Sequence, residues 1–477
     1  MAPRHTGLRI AGLDVGTSYV KAVRVELHPG ADRPATLAAL RRRPTPGDAQ
    51  ELVDVARALL DEVTADGPVA AVGIASMAET GVPLDRAGRA LAPLLTWDGE
   101  RAPSALLGEL DRGELFARTG VRLSPKVPLA TWAWLAETQP DVHTRMRRWA
   151  GAADLVGLAL TGRLATDHTL AGRTGAYLLD RDGWAEDLLD LVGLSPTVLP
   201  DVVAPDEVVG HAAGVPVVVA GHDHQVGAHA CGVRRPGDTA DSLGTTEVLL
   251  RVLRGNPDRE SVRLAGMSLV RTVSGHARAL VAGNSSAGSA YASWTADHPA
   301  SDDLPAGPTG LLVLPYLRGR QSPEPDPRAT LRTVGDLEGA TPGTLTKALL
   351  EGLSLQARWM DDVQRRLDPW GGADGPVVLL GGAGVRNTAW TRVKAEVLTR
   401  PLLVVDQDET VAVGAAVVAA ERAGLVEPGS VVLPATPVPR ASGDPYRELY
   451  AAFVREGLSP RPAPVAGSGG SAPRADR

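Results

Sequence analysis

The chain has 477 residues, more than one compact core usually holds, so two domains are expected and a single small binding module is excluded. With 44% hydrophobic and 22% charged residues it has an ordinary globular composition, and its longest apolar runs, such as Val215 to Ala220, fall far short of a bilayer span. A net charge of -7 with no basic stripe among aromatics argues against nucleic acid as a partner. None of the four lysines (Lys21, Lys126, Lys347, Lys394) follows a glycine, so the Gly-Lys-Ser/Thr core of a P-loop is absent. The N-terminus runs directly into a strand-like segment without a secretory apolar region, and the lone Cys231 cannot form an internal disulfide. A cytoplasmic protein without membrane contact is expected.

The first element, from Arg9 to Val25, consists of two β-rich runs joined by Gly16-Thr-Ser18, the pattern of a hairpin. Helical periodicity follows at Gln50 to Val63 and again at Pro128 to Glu137, with a buried strand between them at Val69 to Ala75 that enters a loop at Ser76. The segment from Pro216 to Gly232 reads as strand, glycine turn and small-residue helix, which places Asp223 where strand becomes helix, at the edge of a cleft in an α/β sheet. Asp241 to Val252 then repeats the opening pattern of acid, aliphatic residues, Gly-Thr-Thr and a second aliphatic run. Two related lobes explain the recurrence. A long amphipathic helix is expected over Thr344 to Leu367, then a strand (Val377 to Leu380), Gly381-Gly-Ala-Gly384, a helix through Trp390 and Val397, a strand (Leu402 to Val405) and a small-residue helix from Val411 to Ala420. From Pro460 onward Pro, Gly, Ser and Ala dominate without periodicity, and 456–477 is expected to be a disordered tail.

Phosphoryl transfer to an alcohol needs a cradle of amides and hydroxyls for the phosphates, a carboxylate to hold a metal ion, and a base beside the attacking hydroxyl. Gly16 with Thr17 and Gly244 with Thr245 supply two such turns, Asp14 ends the strand before the first, and Asp223 is the candidate base. Aspartate before a helix is also a favoured N-cap, and the two roles can coexist.

Six segments, in order, resemble the FGGY family of carbohydrate kinases of the actin/hexokinase superfamily, over nearly everything from Ile10 to Phe453. Leu13-Asp-Val-Gly-Thr-Ser-Tyr-Val-Lys21 is similar to the first phosphate motif, and Gly73-Ile-Ala-Ser-Met-Ala-Glu79 with Leu95-Thr-Trp-Asp-Gly-Glu-Arg101 to the sugar-facing loops. Ala220-Gly-His-Asp-His-Gln-Val-Gly227 resembles the catalytic-base segment, and Ser242-Leu-Gly-Thr-Thr246 the second phosphate motif. Leu314 to Pro323 resembles the Pro-Tyr-Leu loop, and Leu380 to Trp390 with Gly414-Ala-Ala the adenosine motif.

The resemblance implies an α/β protein of two ribonuclease H-like lobes, 1–236 and 237–455, with ATP and Mg2+ as cofactors, a small sugar, polyol or sugar acid as substrate, and a homodimer as the assembly left open. It implies Asp223 as base, and Asp14 near Mg2+ through water. Gly16, Thr17, Ser18, Gly244, Thr245 and Thr246 would lie at the phosphates. Gly288, Gly381, Gly382, Ala383, Arg386 and Asn387 would lie around the rest of the nucleotide. Glu79, Trp97, Asp98, His224 and Lys126 would meet the substrate. Glu79 matches a carboxylate of the glycerol kinase branch, but Ala78 replaces the arginine that precedes it there. A carboxylate suits vicinal hydroxyls, which favours a neutral ketose or polyol. Lys126 could oppose that by contacting an acid, or be a solvated loop lysine. Trp132 and Trp134 are expected to be packing residues.

His222, His224, His229 and Cys231 carry the residue types of a zinc site, but a strand-to-helix turn is expected to point them apart. The competing enzyme reading is an NAD-dependent oxidoreductase, since Gly382-Ala-Gly384 follows a strand and Asp406 ends the next, although Asn387 stands at the third glycine. A sugar sensor without turnover is the non-enzyme reading, opposed by the presence of Asp14, Thr17, Asp223 and Thr245.

Overall fold

The computed structural model describes residues 7–368, 374–381 and 386–459. Apolar residues that alternate along the first hairpin give β1 (Leu8–Val15) and β2 (Tyr19–Leu27), paired antiparallel so that Asp14 lies across from Lys21. β3 (Ala35–Pro44) extends the edge, and α1 (Ala49–Thr64) starts at an N-cap, with Asp48 accepting from the amides of Gln50 and Glu51. β4 (Val72–Ser76) is buried along its whole length and joins β1 in parallel, as required of a central strand covered on both faces. After the helical segment Ala152–Thr161 (α2), β5 (Gly210–Ala212) and β6 (Val215–His222) complete a sheet of order β3-β2-β1-β4-β6-β5.

The second lobe reuses this plan. β7 (Thr239–Leu243) and β8 (Glu247–Val252) form the antiparallel hairpin, β9 (Ser268–Arg271) and β10 (Arg278–Asn284) extend it, and β11 (Val377–Leu380), β12 (Leu402–Val405) and β13 (Ala435–Pro437) continue on the other side, in the order β9-β10-β8-β7-β11-β12-β13. In each sheet the first hairpin strand pairs antiparallel with its partner and parallel with a later strand. The strand before Gly381 thus belongs to a mixed sheet beside a hairpin. That is not the all-parallel frame of a doubly wound dinucleotide domain.

Between the sheets run α3 (Asp223–Ala230) and α7 (Thr410–Arg422); the intervening helices are α4 (Gly288–Asp297), α5 (Pro342–Leu367) and α6 (Thr388–Val397). α7, though encoded near the C-terminus, packs on β1, β4 and β6 of the first sheet, while α3 touches β4 as well as β8 and β11. The approach is backbone to backbone. A Cβ on Gly12 would lie 2.0 Å from the Ala412 carbonyl oxygen, and one on Gly73 would lie 1.9 Å from that of Ala415. The small-residue run of α7 is therefore a packing requirement. Arg422 locks its end, donating to the Asp167 carboxylate at 2.8 Å and to the Val219 carbonyl at 2.9 Å.

The expected elements form with boundary shifts of a few residues. Residues 456–458, expected in the tail, belong to the helix Arg447–Leu458, which is held by buried Phe453 and by arginine bonds from Arg332 to the Glu456 carbonyl and Arg320 to the Gly457 carbonyl, both 2.7 Å. Residues 460–477 lie outside the described residues. Among the described residues, no helix is long and apolar enough to cross a membrane.

Candidate active site

A cavity of about 220 Å³ is lined from both lobes, by Glu79, Trp97 and Asp223 on one side and Thr246, Asn284 and Gln321 on the other. Asp223 reaches it because β6 ends at His222 and α3 begins with Asp223 itself. The N-cap position is His222, so Asp223 sits one residue inside the first turn and does not cap. Its Oδ1 accepts from the His224 amide at 2.6 Å and lies 3.1 Å from His224 Nδ1. Burial pushes the Asp223 carboxyl up, but the His224 hydrogen bond and the neighbouring imidazoles outweigh it and hold the group at about 2. Burial also drives His222 far below its ordinary value, so that imidazole is neutral near pH 7.

The two histidines do not point apart. Their rings stack edge to face with centroids 4.0 Å apart, and both face Asp223 Oδ1, a convergence that the expected divergence at a strand-to-helix turn missed. Side-chain ligand atoms of His222, Asp223 and His224 lie within 4.8 Å of one another. The four-residue zinc set does not assemble, because His229 is spent on Glu421 at 2.7 Å and Cys231 lies buried at the end of α3, its thiol pushed up by desolvation.

Glu79 stands in the left-handed region at φ 60°, a strained setting for a non-glycine residue. Arg173 holds it there, donating from Nε at 3.0 Å and Nη2 at 2.6 Å to the same oxygen, Oε1. The arginine missing at position 78 thus arrives from a loop 94 residues away, and nothing local in Thr169 to Thr174 announced it. Trp97 is fixed by its indole N–H, which donates to the Thr17 hydroxyl at 2.8 Å, tying the Leu95 to Arg101 loop to the Gly16-Thr17-Ser18 turn. Lys126 sits with its ammonium 4.9 Å from the centroid of the Trp97 ring. Asp98 is exposed and outside the cavity lining; it acts on Lys126 and Arg101 only through its charge.

The turns Gly16-Thr17-Ser18 and Gly244-Thr245-Thr246 close both hairpins, with Thr17 and Thr246 on the cavity wall. Gly288 docks α4 against the second turn, its amide donating to the Gly244 carbonyl at 3.0 Å, and a Cβ there would come within 2.5 Å of that oxygen. Gly381 lies closer still to the Gln407 carbonyl, whose oxygen would be 1.9 Å from a Cβ there. Asn387 is the N-cap of α6, accepting from the Trp390 amide at 3.0 Å, while Arg386 faces Asp408 at 3.5 Å on the surface. Gly382 and Ala383 lie outside the described residues.

Asp14, buried at the end of β1, fits a divalent cation. Desolvation raises its carboxyl to about 7, with Asp223 and Glu409 adding to the rise and Lys21 opposing it. Lys21 is 3.7 Å from Asp14 and 2.7 Å from Glu409, an acid contributed by the loop before α7. Asp14 and Glu409 share one ammonium, and the nearby charge of Asp223 adds to the excess of negative charge that a dication would balance. Neither Lys21 nor Glu409 had been assigned a role from the sequence.

A two-lobed α/β frame in which each lobe opens with a hairpin and a cavity is shared between the lobes is the architecture of the actin/hexokinase fold. Residues 9–230 match the family model described as the FGGY family of carbohydrate kinases, N-terminal domain, and residues 241–423 match the C-terminal domain of the same family. The chain belongs to the FGGY family of carbohydrate kinases. It is 29% identical to a xylulose kinase of Streptomyces rubiginosus over 445 residues, covering 88% of each chain, and 27% identical to a glycerol kinase of Aromatoleum aromaticum, covering 87% of this chain and 90% of that one. A xylulose kinase structure from Rhodospirillum rubrum superposes with a TM-score of 0.79 at 24% identity, over 94% of this chain and 97% of that chain. Family membership makes the protein an ATP-using carbohydrate kinase that generally requires a divalent metal.

Proposed function

We propose that the protein transfers the γ-phosphoryl group of Mg-ATP to a hydroxyl of a ketose or polyol chain, with Asp223 as the base. The observation that carries this reading is the ionised Asp223 at a cavity shared by both lobes, beside the Glu79–Arg173 pair and the fixed Trp97 ring. The substrate oxygen attacks the γ-phosphorus, the bond from phosphorus to the β,γ-bridging oxygen breaks, ADP departs, and the hydroxyl proton passes to Asp223 and on to solvent. A carboxyl at about 2 is a weak base, so its main contribution is to orient the hydroxyl; it takes the proton late, as a loose transition state requires. Glu79 Oε2, which accepts no hydrogen bond from the described residues, is available to a second hydroxyl.

Residues 1–236 hold the sugar and the base, and 237–455 the nucleotide. Asp14 would hold Mg2+, which would supply charge stabilisation of the phosphates. Thr17 is engaged by Trp97 in this structure, so a γ-phosphate at the first turn has to compete for that hydroxyl, which couples nucleotide arrival to the sugar loop. Lobe closure excludes water and limits ATP hydrolysis. The test is ADP release with Mg-ATP over ketopentoses, ketohexoses, alditols and glycerol, run beside Asp223→Ala. Sugar-dependent release that falls at least a hundredfold in the variant, with ATP affinity retained, is expected. Equal turnover in Asp223→Ala refutes the base, and ATP binding without turnover on any carbohydrate refutes the kinase reading in favour of a sensor.

A further inference from the structure

The two carboxylate oxygens of Asp223 are held unequally. Oδ1 accepts from the His224 amide at 2.6 Å, lies 3.1 Å from His224 Nδ1, and has His222 Nε2 at 3.4 Å. Oδ2 accepts nothing from the described residues and is not enclosed by them, so it opens on the cavity. A carboxylate oxygen can only accept, so His224 Nδ1 carries the proton in this contact. The other edge of the same ring is shut off. His224 Nε2 is buried without a hydrogen-bond partner, and the imidazole therefore offers an incoming carbohydrate no accessible nitrogen. Neighbouring groups keep the pair in place. The His222 amide donates to the Thr169 hydroxyl oxygen at 2.8 Å, Thr169 donates to Asp167, and Asp167 accepts from Arg422 of α7. The His222 ring packs edge to face against the His224 ring and limits its rotation.

The torsion that turns a carboxylate is soft, so an unrestrained Asp223 could present either oxygen to a hydroxyl, and only a well-aimed one supports in-line attack. We propose that His224 is a positioning residue for phosphoryl transfer: its amide and Nδ1–H occupy Oδ1, so that Oδ2 alone meets the attacking hydroxyl, and its ring does not bind the sugar. The hydroxyl proton then moves to Oδ2 while the Nδ1 proton stays on His224. This assignment rests on Asp223 as the base, and it replaces the substrate contact that the family resemblance implies for His224.

The experiment is a double-mutant cycle on Asp223 and His224, run with Mg-ATP and whichever of the ketopentoses, ketohexoses, alditols or glycerol shows the highest kcat/KM. His224→Leu should lower kcat by roughly ten- to a hundredfold, the worth of a hydrogen bond to a charged group, and leave KM for carbohydrate and for ATP within about threefold of the wild type. His224→Asn can place a side-chain N–H where Nδ1 stands and should recover most of the loss. Asp223→Ala with His224→Leu should be no slower than Asp223→Ala alone, because a group that acts only through the carboxylate has nothing left to hold. The positioning role is overturned, with Asp223 left standing as base, by a His224→Leu kcat equal to the wild type, by a loss confined to the carbohydrate KM, by a His224→Asn variant as slow as His224→Leu, or by a double variant clearly slower than Asp223→Ala. Wild-type turnover in Asp223→Ala, or no turnover of any of these carbohydrates by the wild type, overturns the base and the positioning role together.

Discussion

Asp14 offers a measurement in which the apparent defect of the active site is itself the signal. Its carboxyl rises from 3.8 to about 7 because burial, Asp223 and Glu409 oppose ionisation more than Lys21 favours it. A native value above the unfolded one means that the folded protein binds this proton more tightly. The resulting stabilisation is complete below about pH 3.8 and is lost as pH rises through about 7. A rise of this size corresponds to about 4 kcal/mol at pH 8. Asp14→Asn copies the neutral form, and Lys21 keeps Glu409 at 2.7 Å, so no buried ammonium is stranded. Urea unfolding without divalent cations should therefore show the variant and wild type close at pH 4, with the variant gaining steadily to an advantage of about 2–4 kcal/mol at pH 8. Mg2+ with ATP should erase that advantage in the wild type by balancing the same charge. Parallel stability curves from pH 4 to pH 8 would refute the account of Asp14, since they would show its ionisation to cost the same in folded and unfolded chains.

Three other outcomes follow from the packing. Lys394 is enclosed with the carboxylates of Asp241 and Glu247, so Lys394→Met leaves two buried acids without a cation and should lose about 3 kcal/mol or more in urea unfolding; a loss below about 1 kcal/mol would dismiss the triad as a stabilising unit. Gly73→Ala forces a methyl against the Ala415 carbonyl and should cost about 3 kcal/mol, whereas Gly88→Ala, in open space at φ 80°, should cost only about 1 kcal/mol of backbone strain. Cys231 should resist a maleimide at pH 8 in the folded protein and react at once in urea, because burial raises its thiol; rapid native labelling would show that α3 and α7 separate.

The parts legible in the sequence are those that local periodicity encodes. The duplicated hairpins, the strand that delivers Asp223 and the long helix Pro342–Leu367 each carry their pattern within a short window. Arg173 and Glu79 meet across 94 residues, and Lys21 finds Glu409 from the other end of the chain; such pairings leave no local trace. The His222 and His224 rings converge because β6 stops and α3 starts between them, and the counting of strand or helix periods does not cover that junction. Asn387 shows the opposite case. Its place directly before a helical run was an N-cap signal, and the capping bond to Trp390 is what the structure contains, while an adenosine contact stays a proposal.

α7 also has a consequence for how the chain is made. β1, β2, β4 and β6 all precede residue 223, yet the helix that covers them begins at Thr410. During synthesis the first sheet must wait, with Ile10, Val23 and Val218 uncovered on one face, until most of the second lobe has emerged. A ribosome stalled anywhere before residue 410 would hold an apolar surface that only the unfinished part of the same polypeptide can cover. For this reason a fragment ending near residue 236 would be a substrate for chaperones rather than a free-standing lobe.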